Sequence, residues 1–430
     1  MSNISCRLKA FHPRLSALIR GHRFIVFTAI ALAFSLAALW RGASAMAWQA
    51  AVPRLVEQVV DANFGIGYAV TVADINRDGK IDIVAINPTQ AVWFENPTWK
   101  KHVIMDGLTK KDNVCVAAHD IDGDGRLDLA LGAEWMPTNT QTGGSLQWLR
   151  QPEDATKRWE LFPIAAEPTL HRIRWGDIDG DGRKELIVAP LQGRGTKPPK
   201  WEDGKGVRLL AFSVPKDPAH DEWKSEVIDE SFHALHNLVV TNFDEDGAEE
   251  IITASLEGVF LLDRGEGGAW KRTLLGEGND ELETPPGAGE IKVGRFKSGK
   301  RYLATVEPWH GHQIVVYVQP SEPGTLWTRR VLDAKVKQGH ALGCADFDGD
   351  GDDELVAGWR EASEAGLRPG VAMYDPQDEA WGSGRKSTVD DGGMATEDLV
   401  IADLNQDGLP DVVASGRATH NIKIYWHPGK

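Results

Sequence analysis

The sequence predicts an all-β chain folded as a seven-bladed β-propeller with four-stranded blades, closed by a strand from its N-terminus. Three observations carry that expectation: an acidic motif recurs along the chain, four strand-like runs surround each recurrence, and one spare strand-like run stands near the start.

The motif reads ADINRDGKIDIVAI at 73–86, HDIDGDGRLDLALG at 119–132 and HRIRWGDIDGDGRKELIVAP at 171–190. It returns as HNLVVTNFDEDGAEEIITAS at 236–255, QGHALGCADFDGDGDDELVAGW at 338–359 and ADLNQDGLPDVVAS at 402–415. GRFKSGKRYLATVE at 294–307 keeps the apolar flanks but has lost the acids and one residue. Spacings of about 46 to 65 residues suit propeller blades. In each unit an apolar run enters the acidic loop and a β-branched run leaves it. A third follows, such as AVWFEN, GVFLLDR or IKIYWHP, and then a fourth that often opens on Trp, such as RWELFPIAAE or LWTRRVLDAK. Short runs separated by Gly, Pro and Asp turns, without a helical period, specify strands. The seventh unit stops after IKIYWHP, while PRLVEQVVDA at 53–62 resembles the fourth runs and has no unit of its own. It should complete the seventh blade and leave no open sheet edge.

Residues 1–45 differ in kind. Five basic residues precede the apolar run FIVFTAIALAFSLAAL, and Ala43-Ser44-Ala45 follows. This pattern reads as a secretory signal, which makes residues 46–430 an exported propeller, periplasmic or extracellular. An uncleaved membrane anchor is the alternative, although the run is slightly short for a span. Cleavage would remove six basic residues and no acid from a chain of net charge −16, leaving −22. So acidic a surface excludes nucleic acid and anionic lipid as expected partners. Cys115 and Cys344 fall in different units and read as buried, inert thiols.

The acidic loop has the spacing of a calcium site. In Asp346, Asp348, Asp350 and Glu354, oxygens fall at positions 1, 3, 5 and 9, with Gly351 at the sharp turn. The other copies supply Asp74, Asn76, Asp78 and Asp82; Asp120, Asp122, Asp124 and Asp128; and Asp177, Asp179, Asp181 and Glu185. Asn242, Asp244, Asp246 and Glu250, then Asp403, Asn405, Asp407 and Asp411, complete six sets. Ion-free polar hairpins are the alternative. A loop repeated in nearly every blade has a structural role.

With these repeats the chain resembles the FG-GAP or VCBS repeats of integrin-type propellers across nearly all of 46–430. That resemblance places the acidic loop on one face, between the first and second strands of each blade, and the ligand or active site on the other. A narrower resemblance, carried by VEPWHGHQIVVY at 306–317 and by histidines at strand starts, is to the propeller domain of the aldos-2-ulose dehydratase family. It implies a secreted carbohydrate lyase with a zinc ion at the bottom of the propeller cleft, though without that family's cupin domains.

His171, His236 and His340 each stand six residues before position 1 of their loops. Six strand residues span roughly 20 Å, so the three should meet on the opposite face, at the channel mouth. Three imidazoles with an open fourth position suit catalytic zinc. The same rim should carry His310 or His312 as base, Glu307 or Glu134 as acid, and Arg360 or Arg417 to hold substrate. Tyr68, Trp135, Trp309, Trp359 and His420 would line a sugar site, unless the tryptophans serve blade packing. Two functions follow: a metal-dependent lyase eliminating from a keto-sugar or related sugar, or a non-catalytic, calcium-stabilised propeller that binds a glycan or protein. No triad, P-loop or dinucleotide fingerprint supports a hydrolase or nucleotide enzyme.

Overall fold

A computed structural model describes residues 52–429 apart from 200, 202, 266 and 280–285. The signal-like segment lies outside the described residues. Seven antiparallel four-stranded sheets form the blades, and each innermost strand packs against the next, the seventh meeting the first. The innermost strands are Ala69–Ala73, Cys115–His119, Leu170–Gly176, Leu235–Thr241, Glu290–Arg295, Gly339–Ala345 and Thr396–Ala402. Among the described residues there is no helix long and apolar enough to cross a membrane.

The ring closes as the repeat arithmetic requires. Val56–Asp61 pairs antiparallel with Ile422–Trp426, with Val56 opposite Trp426 and Gln58 opposite Ile424, as the outer strand of blade seven. Second strands such as Asp82–Ile86, Glu185–Pro190 and Glu354–Trp359 are buried along their whole length. They lie between neighbours inside a blade and between adjacent blades, which is why they read as unbroken apolar runs. The core is a set of apolar clusters of this kind, with Trp93, Trp148, Tyr302 and Tyr425 among its largest fully buried side chains. Deleting residues 52–61 should expose the Ile422–Trp426 edge and uncover the core around Leu55. We expect a melting temperature lower by roughly 5 °C or more, together with self-association visible by size exclusion. A truncated chain that melts like the full one would contradict this account of closure.

On one face the acidic loops are held by their own backbone. Asp74 accepts from the amides of Asp78 and Gly79, at 3.1 and 3.0 Å, and Asp177 and Asp403 repeat the pattern. Position 9 is a buried clamp. Asp82, Asp128 and Asp411 each accept one backbone amide from the loop and another from the residue following the third strand. Glu185, Glu250 and Glu354 accept only from the loop and keep a second oxygen for other use. In Glu354 that oxygen is buried without a hydrogen-bond partner. Three carboxylates converge within 4.8 Å in Asp120, Asp122 and Asp128; Asp177, Asp179 and Glu185; and Asp346, Asp348 and Glu354.

Two corrections to the expected ligand pattern follow. Position 5 joins none of these sets: Asp78, Asp124 and Asp181 turn to Lys80, Arg126 and Arg183, the basic residues at position 7. In blade four, Asn242 turns its amide to the Asp246 carbonyl, and the convergent set is Asp244, Glu250 and Asp263. Asp263 comes from the third strand, Gly258–Arg264, outside the motif. The acid-free turn of blade five is tied instead by Lys297, whose ammonium donates to the Asp350 carbonyl of blade six at 2.9 Å.

Candidate metal centre

The opposite face shows why histidines at one repeat position can meet. In blades three, four, six and seven the innermost strand carries a β-bulge, and the bulged residue is His171, His236, His340 or Glu397. A bulge inserts one unpaired residue and re-aims its side chain, so simple strand alternation does not apply there. The four side chains are buried at the channel mouth.

The three imidazoles that bring a ring nitrogen within 4.8 Å of one another are His236, His310 and His340. Their ring centroids lie 4.3 to 5.1 Å apart. His310 comes from the turn between the strands Arg301–Glu307 and Gln313–Val318 of blade five. His171 was expected in this set, but it stands beside it. Its Nδ1 donates to the His236 carbonyl at 3.0 Å, and its Nε2 accepts from the Arg172 guanidinium at 3.2 Å, which occupies the lone pair a metal would need. Trp135 stacks on its other side at 4.8 Å.

Tautomers follow from the partners. His236 and His340 donate Nδ1–H to the carbonyls of Gly289 and Glu397 in the next blade, leaving the Nε2 lone pair of each unprotonated. His310 is different: Arg360 approaches its Nδ1 at 3.3 Å, so its proton sits on Nε2, which faces Nε2 of His236. To offer Nε2 as a ligand, His310 must move that proton to Nδ1. Arg360 must then turn wholly to Glu397 and Gln338, which it already contacts at 3.1 and 2.5 Å. Burial, reinforced by Arg172, Arg360 and the neighbouring imidazoles, pushes all four histidines below their ordinary pKa. They are therefore neutral at pH 7, the form that binds metals. Neutral imidazoles with carbonyl or carboxylate partners behind them would fit a divalent cation such as zinc once the His310 Nε2–H, which donates to Nε2 of His236, has moved to Nδ1. Glu290, 3.3 Å from Nδ1 of His236 and 3.5 Å from Arg172, supplies the carboxylate.

Other expected site residues divide between rim and blade interior. Arg360 and Arg417 share Glu397 and, with His420, line a cleft of about 410 Å³. The Arg417 guanidinium lies over the ring of Tyr68. Trp309 flanks His236 and His310 and holds a left-handed φ of 49°, strain of the kind that gathers at functional rims. Glu134 is also left-handed and pairs with Lys110. His312 lies in the bend just before the third strand of blade five and is half-buried.

Three roles need correcting. Glu307, expected as an acid, is fully buried within blade five, where Thr305, Tyr317 and Arg329 donate to it at 2.7 to 2.8 Å. Trp359, expected against a sugar, is buried: its Nε1 donates to the Arg368 carbonyl, and Lys386 covers its face. Its packing role prevails. His310, expected as a base, belongs to the convergent set, and its lowered pKa makes it a weak proton acceptor.

Comparison with known proteins bears on this geometry. A family model of the aldos-2-ulose dehydratase β-propeller domain matches residues 143–320, and one of FG-GAP-like repeats matches 74–131. Aldos-2-ulose dehydratase of Phanerodontia chrysosporium is 27% identical over 360 residues, which are 77% of this chain and 38% of that protein. The chain is a seven-bladed propeller that is similar to FG-GAP-like repeats over 74–131 and to the aldos-2-ulose dehydratase propeller domain over 143–320. The solved structure of an Agrocybe aegerita lectin that recognises non-reducing terminal N-acetylglucosamine covers 77% of this chain and 81% of its own, at 12% identity and a TM-score of 0.48. His171, His236, His310 and His312 fall inside the stretch that matches the dehydratase propeller; His340 falls beyond it.

Proposed function

We propose that this chain is an exported, zinc-dependent carbohydrate lyase that eliminates water or a like group from a keto-sugar at the channel mouth. The observation that carries the reading is the convergence of His236, His310 and His340, with one ring nitrogen of each within 4.8 Å of the others. The resemblance to a carbohydrate dehydratase supports the substrate class. Zinc held there would polarise a sugar oxygen and acidify the neighbouring C–H bond.

The protein's own groups do the rest. Arg360 and Arg417, both fixed by Glu397, present N–H donors to sugar oxygens. Trp309 and Trp135 form aromatic walls beside the histidines. With His310 assigned to the metal, one of His312 and Glu134 takes the proton from carbon and the other protonates the departing oxygen, which leaves as water when the C–O bond breaks. Calcium in the acidic loops would hold the blades in register, with no part in the chemistry.

The deciding experiment is metal analysis of the purified protein after calcium exchange, alongside an assay of keto-sugar elimination. About one zinc per chain, with activity lost on chelation and restored by zinc, is expected. Protein free of transition metal and inert toward keto-sugars would remove the lyase and leave the glycan-binding propeller.

A further inference from the structure

The innermost strands line a cavity of about 480 Å³, in which Arg172, Arg174, Lys184 and Lys292 outnumber the single acid Asp398. The walls are the innermost strands, so charge can be read level by level from the repeat register. One residue below the rim lie Ala69, Cys115, Arg172, Asn237, Glu290, Ala341 and Asp398, a level of mixed sign. Two residues further down lie Thr71, Ala117, Arg174, Val239, Lys292, Gly343 and Val400. That level has two cations and no acid. Arg174 and Lys292 line the cavity together with Arg172, and Lys184 adds a further positive charge to its wall.

The nearby carboxylates are already committed. Asp398 accepts the backbone amides of Val70 and Leu399, each at 3.0 Å. Glu290 accepts from Asn237 at 2.5 Å and faces Arg172 and His236. The Arg174 guanidinium reaches only neutral oxygens, the Ile173 carbonyl at 2.8 Å and Oδ1 of Asn237 at 3.1 Å. Among the described residues Lys292 has neither a hydrogen bond nor an ion pair, and the more distant charges of Glu290 and Asp398 favour its ammonium. Burial and the neighbouring guanidiniums push both Arg174 and Lys292 below their ordinary pKa, a cost that an anion between them would offset.

We propose that the channel binds an oxyanionic group, a carboxylate, sulfate or phosphate, on Arg172, Arg174 and Lys292. The cavity is large enough to admit a sugar acid. The site stands apart from the zinc reading: it uses none of the three convergent histidines, and His310→Ala should leave it intact.

The test is thermal melting and calorimetry of the calcium-loaded protein with sulfate, glucuronate and glucose, against chloride at matched ionic strength. Sulfate or glucuronate should raise the melting temperature by roughly 2–4 °C where glucose does not, and the rise should vanish in Lys292→Met and Arg174→Gln. Without anion, Lys292→Met should melt above wild type, because it removes a desolvated charge that no hydrogen bond or ion pair satisfies. A larger response to glucuronate than to sulfate would assign the anion to a sugar acid; equal responses would assign it to a free oxyanion. No response to either anion, or one undiminished in both variants, would overturn the site.

Discussion

His310→Ala should abolish both transition-metal binding and keto-sugar elimination, whereas His171→Ala should keep a full metal equivalent and most of the activity. The contrast follows from geometry. Each ring has an arginine on one nitrogen, Arg172 at His171 and Arg360 at His310, but only His310 brings a ring nitrogen within 4.8 Å of both His236 and His340. Losing one of three protein ligands from a zinc site should reduce affinity by at least the 10–100-fold typical of losing a supporting contact. His310→Ala should fold normally, since the residue sits in a turn at the rim. Metal stoichiometry of the two variants, with melting curves as the folding control, decides the matter. Metal lost with His171 and retained without His310 would reverse the assignment.

Chelated protein should become less stable as pH rises from about 5 to 9, and calcium should cancel that trend. The position-9 carboxyls carry the effect. Burial, with Asp348 and Asp375 adding their charge, pushes Glu354 up to about 9. Burial pushes Asp128 and Glu185 to about 7, with Asp122 and Asp179 contributing, and Asp82 to about 6. An acid whose folded pKa is raised binds its proton more tightly in the native state. The stability it contributes is complete below its unfolded value and is lost as pH climbs through the folded one. A tenfold change in proton affinity between the two states corresponds to about 1.4 kcal/mol. A cation selects the ionised form, so the melting-temperature difference between calcium and chelator should widen with pH. Glu354→Gln should flatten the chelated curve. Superimposable curves with and without chelator would mean that these loops bind no calcium.

The architecture was readable because a propeller repeats its physics. Six acidic loops, the acid-free copy at 294–307 and a spare strand at 53–62 determine blade number and closure without any long-range information. The rim was readable only in part. Register brings His236 and His340 to one mouth, where their ring centroids lie 5.1 Å apart, yet it also promotes His171, because the competing guanidinium of Arg172 is a neighbour effect that spacing does not encode. His310 lies in an irregular turn outside the repeat, so no register argument could place it in the convergent set. Asp263 was missed for a similar reason: it approaches the loop from the third strand, and its only signal is an acid near that strand's end. Glu307 and Trp359 end their second strands close to the mouth, but their side chains turn into the blade, where donors and packing partners await them.

The clasp of blade seven has a mechanical consequence. Because Val56 lies opposite Trp426 and Asp61 opposite Ile422, both ends of the chain leave the ring at the same end of one antiparallel pair. Tension applied between the termini therefore loads the Val56–Trp426 contact first and opens the pair bond by bond, like a zipper, instead of shearing all its hydrogen bonds at once. A propeller tethered at its N-terminus and pulled at its C-terminus would yield at this seam under low force, while the six other blades, closed within themselves, kept their shape.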